Sequence, residues 1–261
     1  ILSRLGEKGK LYAFDQDEDA VENAIDDPRF TLINENFRFI KRFLRFHGVK
    51  EVDGILGDFG VSSHQFDVAE RGFSTRFDAK LDMRMSRRGN LSAYEVINDY
   101  DEQQLKKIFF DYADLRMAPK LAAEIVKARE LSPIVSSEKL NEVLRPFLFK
   151  EKEHKILAQI YQAIRIEVNQ EMEVLKEFLK QTEELIKKGG RLSLISYHSL
   201  EDRLVKRYIR SGLFEGEPEK DFYGNISVPF KKVKGLIVPA AEEIAGNKRA
   251  RSARLRIAKK L

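Results

Sequence analysis

Three ionisable side chains follow short apolar runs in this sequence, at positions where proteins commonly carry out chemistry. Asp15 and Asp58 each end a run that is typical of a buried strand, and His198 directly follows another such run. Open parallel α/β sheets bind their ligands beyond the carboxyl ends of their strands. We therefore expect these three side chains on the ligand-binding side of one sheet.

Asp15 is a candidate for cofactor binding. An acid at the end of a strand commonly accepts hydrogen bonds from the two ribose hydroxyls of an adenosine cofactor. Nicotinamide enzymes and S-adenosylmethionine enzymes both use this device. The alternative is that Asp15 only caps the helix that follows, and the residue type favours neither interpretation. No glycine-rich turn precedes Asp15 by one helix in these 261 residues.

Asp58 lies just before a polar segment that supplies further candidates. Its carboxylate can accept a hydrogen bond from a cofactor amine or a substrate amino group. Ser62, Ser63 and Gln65 add polar contacts from a flexible loop. The alternative is that the serines only anchor this loop. His198 ranks behind Asp58, because a lone histidine is more often structural than catalytic.

Basic side chains form three clusters that suit a phosphate backbone. The chain has 47 Lys and Arg against 42 Asp and Glu, a formal net charge of only +5, so each cluster alone also fits a solvated surface. Together they favour a nucleic acid partner. The candidate contacts are Arg84, Lys206, Arg207, Arg210, Lys248, Arg249, Arg251 and Arg254.

Alternating strand-type and helix-type segments predict how these residues are positioned. Strand, helix, strand, helix and strand in succession predict a parallel α/β sheet. The strand-type runs are residues 10–15, 31–34, 52–59 and 191–197, and residues 252–259 alternate as a half-buried strand with a basic outer face. The helix-type runs of this part are residues 18–25 and 37–46, a long run over 156–188 broken near Asn169, and a helix from Ser199 with Asp202 as its capping acid.

A helical insertion interrupts the sheet pattern. Residues 60–92 show no clear period, and a loop this long is usually functional or disordered. Residues 101–113, 117–131 and 136–148 then carry apolar side chains at helical spacing with no strand between them. We expect a sheet domain over residues 1–92 and 156–261, with an all-helical insertion over residues 93–155.

Composition excludes several other classes of protein. There is no Cys, and the four His show no i, i+4 pairing, so we expect neither a disulfide framework nor a metal site. No apolar run approaches the roughly 18 residues of a membrane helix. We therefore expect a soluble, cytoplasmic protein without a membrane partner.

Eight motifs run in order from end to end of the chain, at residues 11–17, 26–30, 53–63, 70–74, 81–85, 163–169, 196–203 and 247–252. Together they closely resemble the MraW-type ribosomal RNA methyltransferases. This resemblance implies a class I, Rossmann-like fold and S-adenosylmethionine-dependent methylation of N4 of one cytidine in the decoding centre (P site) of bacterial 16S rRNA. The partner it implies is this RNA within the small ribosomal subunit.

The resemblance also implies residue roles. Carried over by position, the cofactor contacts are Asp15 at the ribose, Phe37 beside the adenine, Asp58 and Gln65. The family's first strand and its Gly-Gly-His cofactor loop are not in this sequence, and we expect them upstream of the short helix that ends at Gly6. The helical insertion and the basic tail are expected to recognise RNA.

An exocyclic cytosine amine is a poor nucleophile, because its lone pair is delocalised into the ring. An acceptor such as Asp58 can hydrogen-bond the N4 protons and draw that lone pair toward the methyl group. Ser62, Ser63 and His198 are the hypothesised substrate-side contacts, and His198 is the hypothesised relay for the released proton.

Two other functions and one question of assembly stay open at this point. A nicotinamide-dependent oxidoreductase fits Asp15 equally well. A noncatalytic RNA-binding or assembly module fits the basic clusters. The sequence does not decide between a monomer and a homodimer.

Overall fold

The computed structural model describes residues 1–148 and 150–261. Two compact units divide the chain: Ile1–Gly60 with Met172–Leu261 form the first, and Val61–Glu171 form the second. The segment 93–155, predicted as a helical insertion, falls within the second unit's residue range. Its Phe149 lies outside the described residues.

The first unit contains the β-structure that carries Asp15 and Asp58. Strands β1 and β2 pair in parallel as a two-stranded sheet. A four-stranded sheet has the order β3-β4-β6-β5, with β3 and β4 parallel and the other pairs antiparallel. The strands are β1 Leu11–Phe14, β2 Phe30–Ile33, β3 Val52–Asp58, β4 Ile186–Ser196, β5 Phe230–Lys232 and β6 Arg254–Lys260.

The pairing of β3 with β4 confirms that two segments far apart in sequence share one sheet. The expectation that β1, β2 and β3 share a sheet is wrong, because within the described residues β1 and β2 pair only with each other. A strand-type run shows that a segment is extended, whereas pairing requires another backbone about 4.8 Å away. The run itself does not identify that neighbour.

The short helices that follow β1 and β2 begin or end beside recognisable capping residues. The segment after Asp15 is the 3₁₀ helix Glu18–Asn23, and the carboxylate of Asp17 accepts the backbone N–H of Asp19 at 3.1 Å. The first α-helix, α1 (Ile40–Phe46), ends before Gly48, whose φ of +74° glycine adopts without strain.

A single apolar core stabilises the first unit. Its buried members come from α1, from the two central strands β4 and β6, and from two further helices, α8 (Glu171–Leu185) and α9 (Ser199–Ser211). Because α8 ends at Leu185 and β4 begins at Ile186, the predicted helix to Lys188 is three residues too long. The most deeply buried side chains include Leu44, Leu179, Leu192, Leu194, Tyr208 and Phe230.

The second unit consists mainly of helices around its own core. Capping boxes begin several of them, since Ser92 pairs with Glu95 and Asp101 with Gln104. The break expected near Asn169 lies at Gln170, whose φ is +51°. The helices are α2 Ser63–Asp67, α3 Ala93–Asp99, α4 Glu102–Ala113, α5 Ala118–Leu131, α6 Ser137–Leu144 and α7 Glu153–Asn169.

A last short helix, α10 (Ala241–Gly246), precedes β6 in the first unit. Across the described part of the chain, we find no helix that combines the length and the apolar character needed to cross a membrane.

Candidate active site

Asp58 occupies the carboxyl end of β3, where its backbone lies opposite Ile195 of β4. Neighbouring protein atoms raise the pKa of this carboxyl group even though the residue is exposed at the surface, and the negative charge of Glu201 raises the pKa further. A hydrogen bond from the hydroxyl of Tyr197 acts in the opposite direction. Asp58 is therefore a more basic carboxylate than an ordinary aspartate.

Tyr197 follows the end of β4 and reaches Asp58 from the neighbouring strand. Burial and the nearby carboxylates of Asp58 and Glu201 raise the pKa of Tyr197 to about 12. Its hydroxyl therefore stays protonated at neutral pH and acts as a donor toward Asp58. The ring passes Gly60, where an added Cβ would lie 3.7 Å from the Tyr197 Cδ2 atom.

Glu201 fixes the backbone that carries Tyr197. One of its carboxylate oxygens accepts the N–H of Tyr197 at 2.9 Å and the N–H of His198 at 3.4 Å, and only 2% of the residue is exposed. The sequence analysis gave Glu201 no role. The signal that could have identified it is an acid three positions after the N-cap, the spacing of a capping box.

His198 is the N-cap of α9. Its Nδ1 accepts the N–H of Glu201 at 3.5 Å, and its Nε2 lies 3.2 Å from Oε1 of the same residue. The helix starts at Ser199 as expected, but the expected capping acid Asp202 is wrong: His198 is the N-cap and Glu201 its acid, and histidine is an uncommon N-cap that the sequence does not suggest. The catalytic role of His198 stays a prediction.

Asp15 lies at the carboxyl end of β1, in a loop tied to the end of β2. Its Oδ1 accepts the N–H of Asp17 at 2.9 Å, and the side-chain amide of Asn34 donates to the backbone carbonyls of both aspartates. The Asp15 side chain is exposed. The loop thus presents a carboxylate at a strand end, which is the chemistry that ribose hydroxyls require.

Phe37 belongs to a cluster of three aromatic rings. Its centroid lies 5.9 Å from that of Phe59 and 5.1 Å from that of Phe178. Phe59 directly follows Asp58, so its ring joins the end of β3 to this cluster. Phe37 is only partly buried, so part of this residue stays accessible to solvent.

Ser62, Ser63 and Gln65 belong to the second unit. Ser62 and Gln65 form the capping box of α2: each side chain accepts the other's backbone N–H at 3.1 Å. Gln65 is buried, whereas both serines are exposed. The structure therefore gives Ser62 the anchoring role that was the alternative. The substrate contacts of Ser62 and Ser63 and the cofactor contact of Gln65 stay predictions.

Arg84, a predicted RNA contact, is held within the second unit. Its guanidinium makes two hydrogen bonds to Asp82, at 2.9 and 2.8 Å, and donates to the carbonyl of Gly89 at 2.8 Å. Sequence reasoning missed two side chains that fix this segment. Buried Arg71 donates to the carbonyls of Arg84 and Met85, and Asn169 accepts the N–H of Met85 at 2.7 Å.

Arg254 of β6 also has a structural partner. Arg254 and Arg256 both donate to the carboxylate of Asp202, and only 15% of the Arg256 side chain is exposed. The expected basic outer face of β6 is therefore wrong for this pair. Arg256 lies opposite buried Leu194 of β4. Its side chain is therefore on the buried face of the sheet, where Arg254 and Arg256 share Asp202.

The other predicted RNA contacts stay on the surface. Lys206 and Arg210 are exposed along one side of α9, and Arg207 beside them is half-buried and donates to the carbonyl of Gly216. The basic tail residues Lys248, Arg249 and Arg251 are exposed as well. The absence of a metal stays a prediction, and the choice between monomer and homodimer stays open.

Comparison with known proteins decides the family. A model of the MraW methylase family matches residues 1–261. The chain belongs to the MraW methylase family. Its fold is accordingly the Rossmann-like methyltransferase fold, and β3 and β4, which carry Asp58 and Tyr197, belong to the sheet of a methyltransferase.

Several relatives with high sequence identity have the same name. The chain is 77% identical to "Ribosomal RNA small subunit methyltransferase H" of Christiangramia forsetii, 69% to that of Flavobacterium johnsoniae and 52% to that of Bacteroides thetaiotaomicron. Each match covers all of this chain and 86% of the relative.

Proposed function

We propose that the protein transfers a methyl group from S-adenosylmethionine to the exocyclic N4 of a cytidine in the decoding centre of 16S rRNA. Membership of the MraW family and the names of the relatives support the small-subunit RNA substrate. The observation that carries the chemistry is the Asp58 carboxylate, made more basic by its surroundings and contacted by the Tyr197 hydroxyl.

The residues at the strand ends fit the proposed cofactor. An exposed carboxylate at Asp15 can accept two ribose hydroxyls, and the partly buried ring of Phe37 offers an apolar surface to adenine. When bound, S-adenosylmethionine supplies an electrophilic methyl group on a positively charged sulfur. The chain's own residues must then orient the amine that receives it.

Asp58 orients that amine in the proposed reaction. A carboxylate that accepts a hydrogen bond from an N4 proton draws the nitrogen lone pair away from the ring and toward the methyl group. Tyr197 holds the carboxylate by donating to it, and Glu201 holds Tyr197 through the backbone. The proton lost from N4 passes to an acceptor in the site, for which Asp58 is the first candidate and His198 the second.

Methylation of isolated ribosomal subunits tests this function directly. Full-length protein and tritiated S-adenosylmethionine are incubated with small subunits that lack the modification. The RNA is then digested to nucleosides and separated. We expect label in N4-methylcytidine. Binding of subunits without any label transfer would instead support a noncatalytic RNA-binding module, and label on another nucleoside would refute the N4 assignment.

A further inference from the structure

A row of three cations crosses three neighbouring strands of the four-stranded sheet. Lys259 of β6 lies opposite Arg191 of β4 on one side and opposite Lys231 of β5 on the other. All three residues are exposed. Because neighbouring strands lie about 4.8 Å apart, the row spans about 10 Å. None of these residues belongs to the basic clusters identified from the sequence.

The three side chains share the solvent side of the sheet. Successive residues of a strand point to opposite faces, and the next pair in register, Leu192 with Ala258, is fully buried. Lys232 lies opposite Ala258 and therefore belongs to the other face. The three cations of the row therefore all lie on one face of the sheet.

Neighbouring atoms keep the row together. The guanidinium of Arg191 donates to the carbonyl of Gly189 at 2.7 Å. Cε of Lys259 lies 3.7 Å from the position that a Cβ on Gly189 would take. Gly189, whose φ is +85°, therefore lies beside both cations: its carbonyl accepts a hydrogen bond from one, and an added Cβ would meet the stem of the other at ordinary contact distance.

The row lacks an acidic partner in the described part of the chain. No carboxylate of residues 1–148 and 150–261 lies within 4.0 Å of its cationic nitrogens, although nearby Lys187 does pair with Asp53 at 3.0 Å. Like charges directly opposite each other destabilise a sheet. An external anion is what would turn this arrangement into a favourable one.

Protection of a sheet edge does not account for the row. Lysine is common on edge strands, where it discourages pairing with other chains, and this explains Lys231 on β5. Arg191 and Lys259 lie on β4 and β6, which have a neighbour on each side. Their charges protect no edge.

We propose that this row contacts the phosphate backbone of the RNA substrate, outside the site where methyl transfer takes place. The inference rests on the proposed function, which supplies a polyanionic partner. A row on an open sheet face fits a backbone that crosses it, whereas small anions are usually held in concave sites. Arg191 lies at the middle of β4, six residues before Tyr197, which follows the carboxyl end of the strand; at about 3.3 Å per residue this is roughly 20 Å along the strand.

Salt dependence of binding tests the row. Arg191, Lys231 and Lys259 are replaced by Gln in one triple variant, and Lys232→Gln on the opposite face serves as the matched control. Affinity for unmethylated small subunits is measured by filter binding over a series of salt concentrations. We expect the slope of log affinity against log salt to fall by about one for each cation removed. At 0.1 M salt the affinity of the triple variant should weaken by roughly two to three orders of magnitude, because the loss of three contacts at about 0.9 log unit each accumulates over the tenfold dilution from 1 M salt.

Further measurements separate this proposal from the proposed function and from misfolding. At saturating subunit concentration the triple variant should retain wild-type turnover, and its Tm at low salt should equal or exceed the wild-type value because repulsion is removed. Unchanged slope and affinity would overturn the row while leaving the proposed function intact. A variant that binds subunits normally but no longer binds anionic vesicles would overturn it in favour of a membrane surface. Absence of methyl transfer by the wild type would refute the function itself.

Discussion

Two aspartates of the first unit differ in what surrounds their carboxylates. Asp202 lies between Arg254 and Arg256, and although burial opposes ionisation, their hydrogen bonds lower the pKa of Asp202 below its usual value. Asp58 meets a tyrosine hydroxyl and the negative field of Glu201, and its pKa is raised. The difference shows that one carboxylate joins a helix to a strand, whereas the other is kept basic and without an arginine partner.

Replacing Asp58 with Ala should produce the largest effect. Turnover should fall about 100-fold or more, because the acceptor for the N4 proton is lost. Donor affinity should weaken as well if Asp58 also contacts the cofactor, so both are measured separately in full-length protein. Stability should not decrease, since no Lys or Arg of the described residues forms an ion pair with this carboxylate. Unchanged turnover would remove Asp58 from the site.

Asp202→Asn should instead lower the stability of the folded protein. Two arginines lose their carboxylate, and we expect about 2 kcal/mol of destabilisation at neutral pH, below the range for fully buried pairs because Arg254 is half-exposed. Denaturant unfolding measures it, with Glu217→Gln as a control on an exposed carboxylate.

The pH dependence of this difference has a definite sign. A lowered pKa in the folded state gives stability above the ordinary aspartate value of 3.8, and this stability is lost as the pH falls through the lowered value. The gap between wild type and Asp202→Asn should therefore close in acid. A gap that persists there would show that packing, and not charge, explains the loss.

Tyr197→Phe should weaken the reaction less than loss of Asp58. Removing the hydroxyl removes the hydrogen bond that lowers the pKa of Asp58, so the acid limb of the turnover profile should move to higher pH. At neutral pH we expect turnover to fall about tenfold or less. Tyr208→Phe is the matched control, because its hydroxyl contacts Glu183 instead. An unmoved acid limb would separate Tyr197 from Asp58.

Glu201→Gln should have the smallest effect, and its direction is opposite. The amide oxygen can still accept the N–H of Tyr197, but the negative charge that raises the pKa of Asp58 is gone. The acid limb should move to lower pH. A shift in the same direction as that of Tyr197→Phe would mean that the substitution displaces the tyrosine.

Much of the fold could be predicted because its signals are local. Apolar spacing indicated α4 and α5 within one or two residues of their observed ends, and strand-type runs ending in an acid indicated β1 and β3. The carboxyl ends of β3 and β4 do lie together, since Asp58 pairs with Ile195. Periodicity works here because it reports which face of a segment is buried.

The site was less predictable because its partners are distant in sequence. Asp202 meets arginines 52 and 54 positions away, and a pattern of alternating residues cannot show that β6 turns those arginines toward α9. Tyr197 acts on Asp58 across two strands. Roles that depend on a neighbouring strand or helix follow from pairing and packing, and no single segment carries that information.

Direct titration of the two aspartates tests the central contrast most simply. Carbon-detected NMR follows the side-chain carboxyl signals, which Asp58→Ala and Asp202→Asn assign by their disappearance. We expect the midpoint of Asp58 to lie above 3.8 and that of Asp202 to lie below it. A midpoint for Asp58 at or below that of Asp202 would contradict the account.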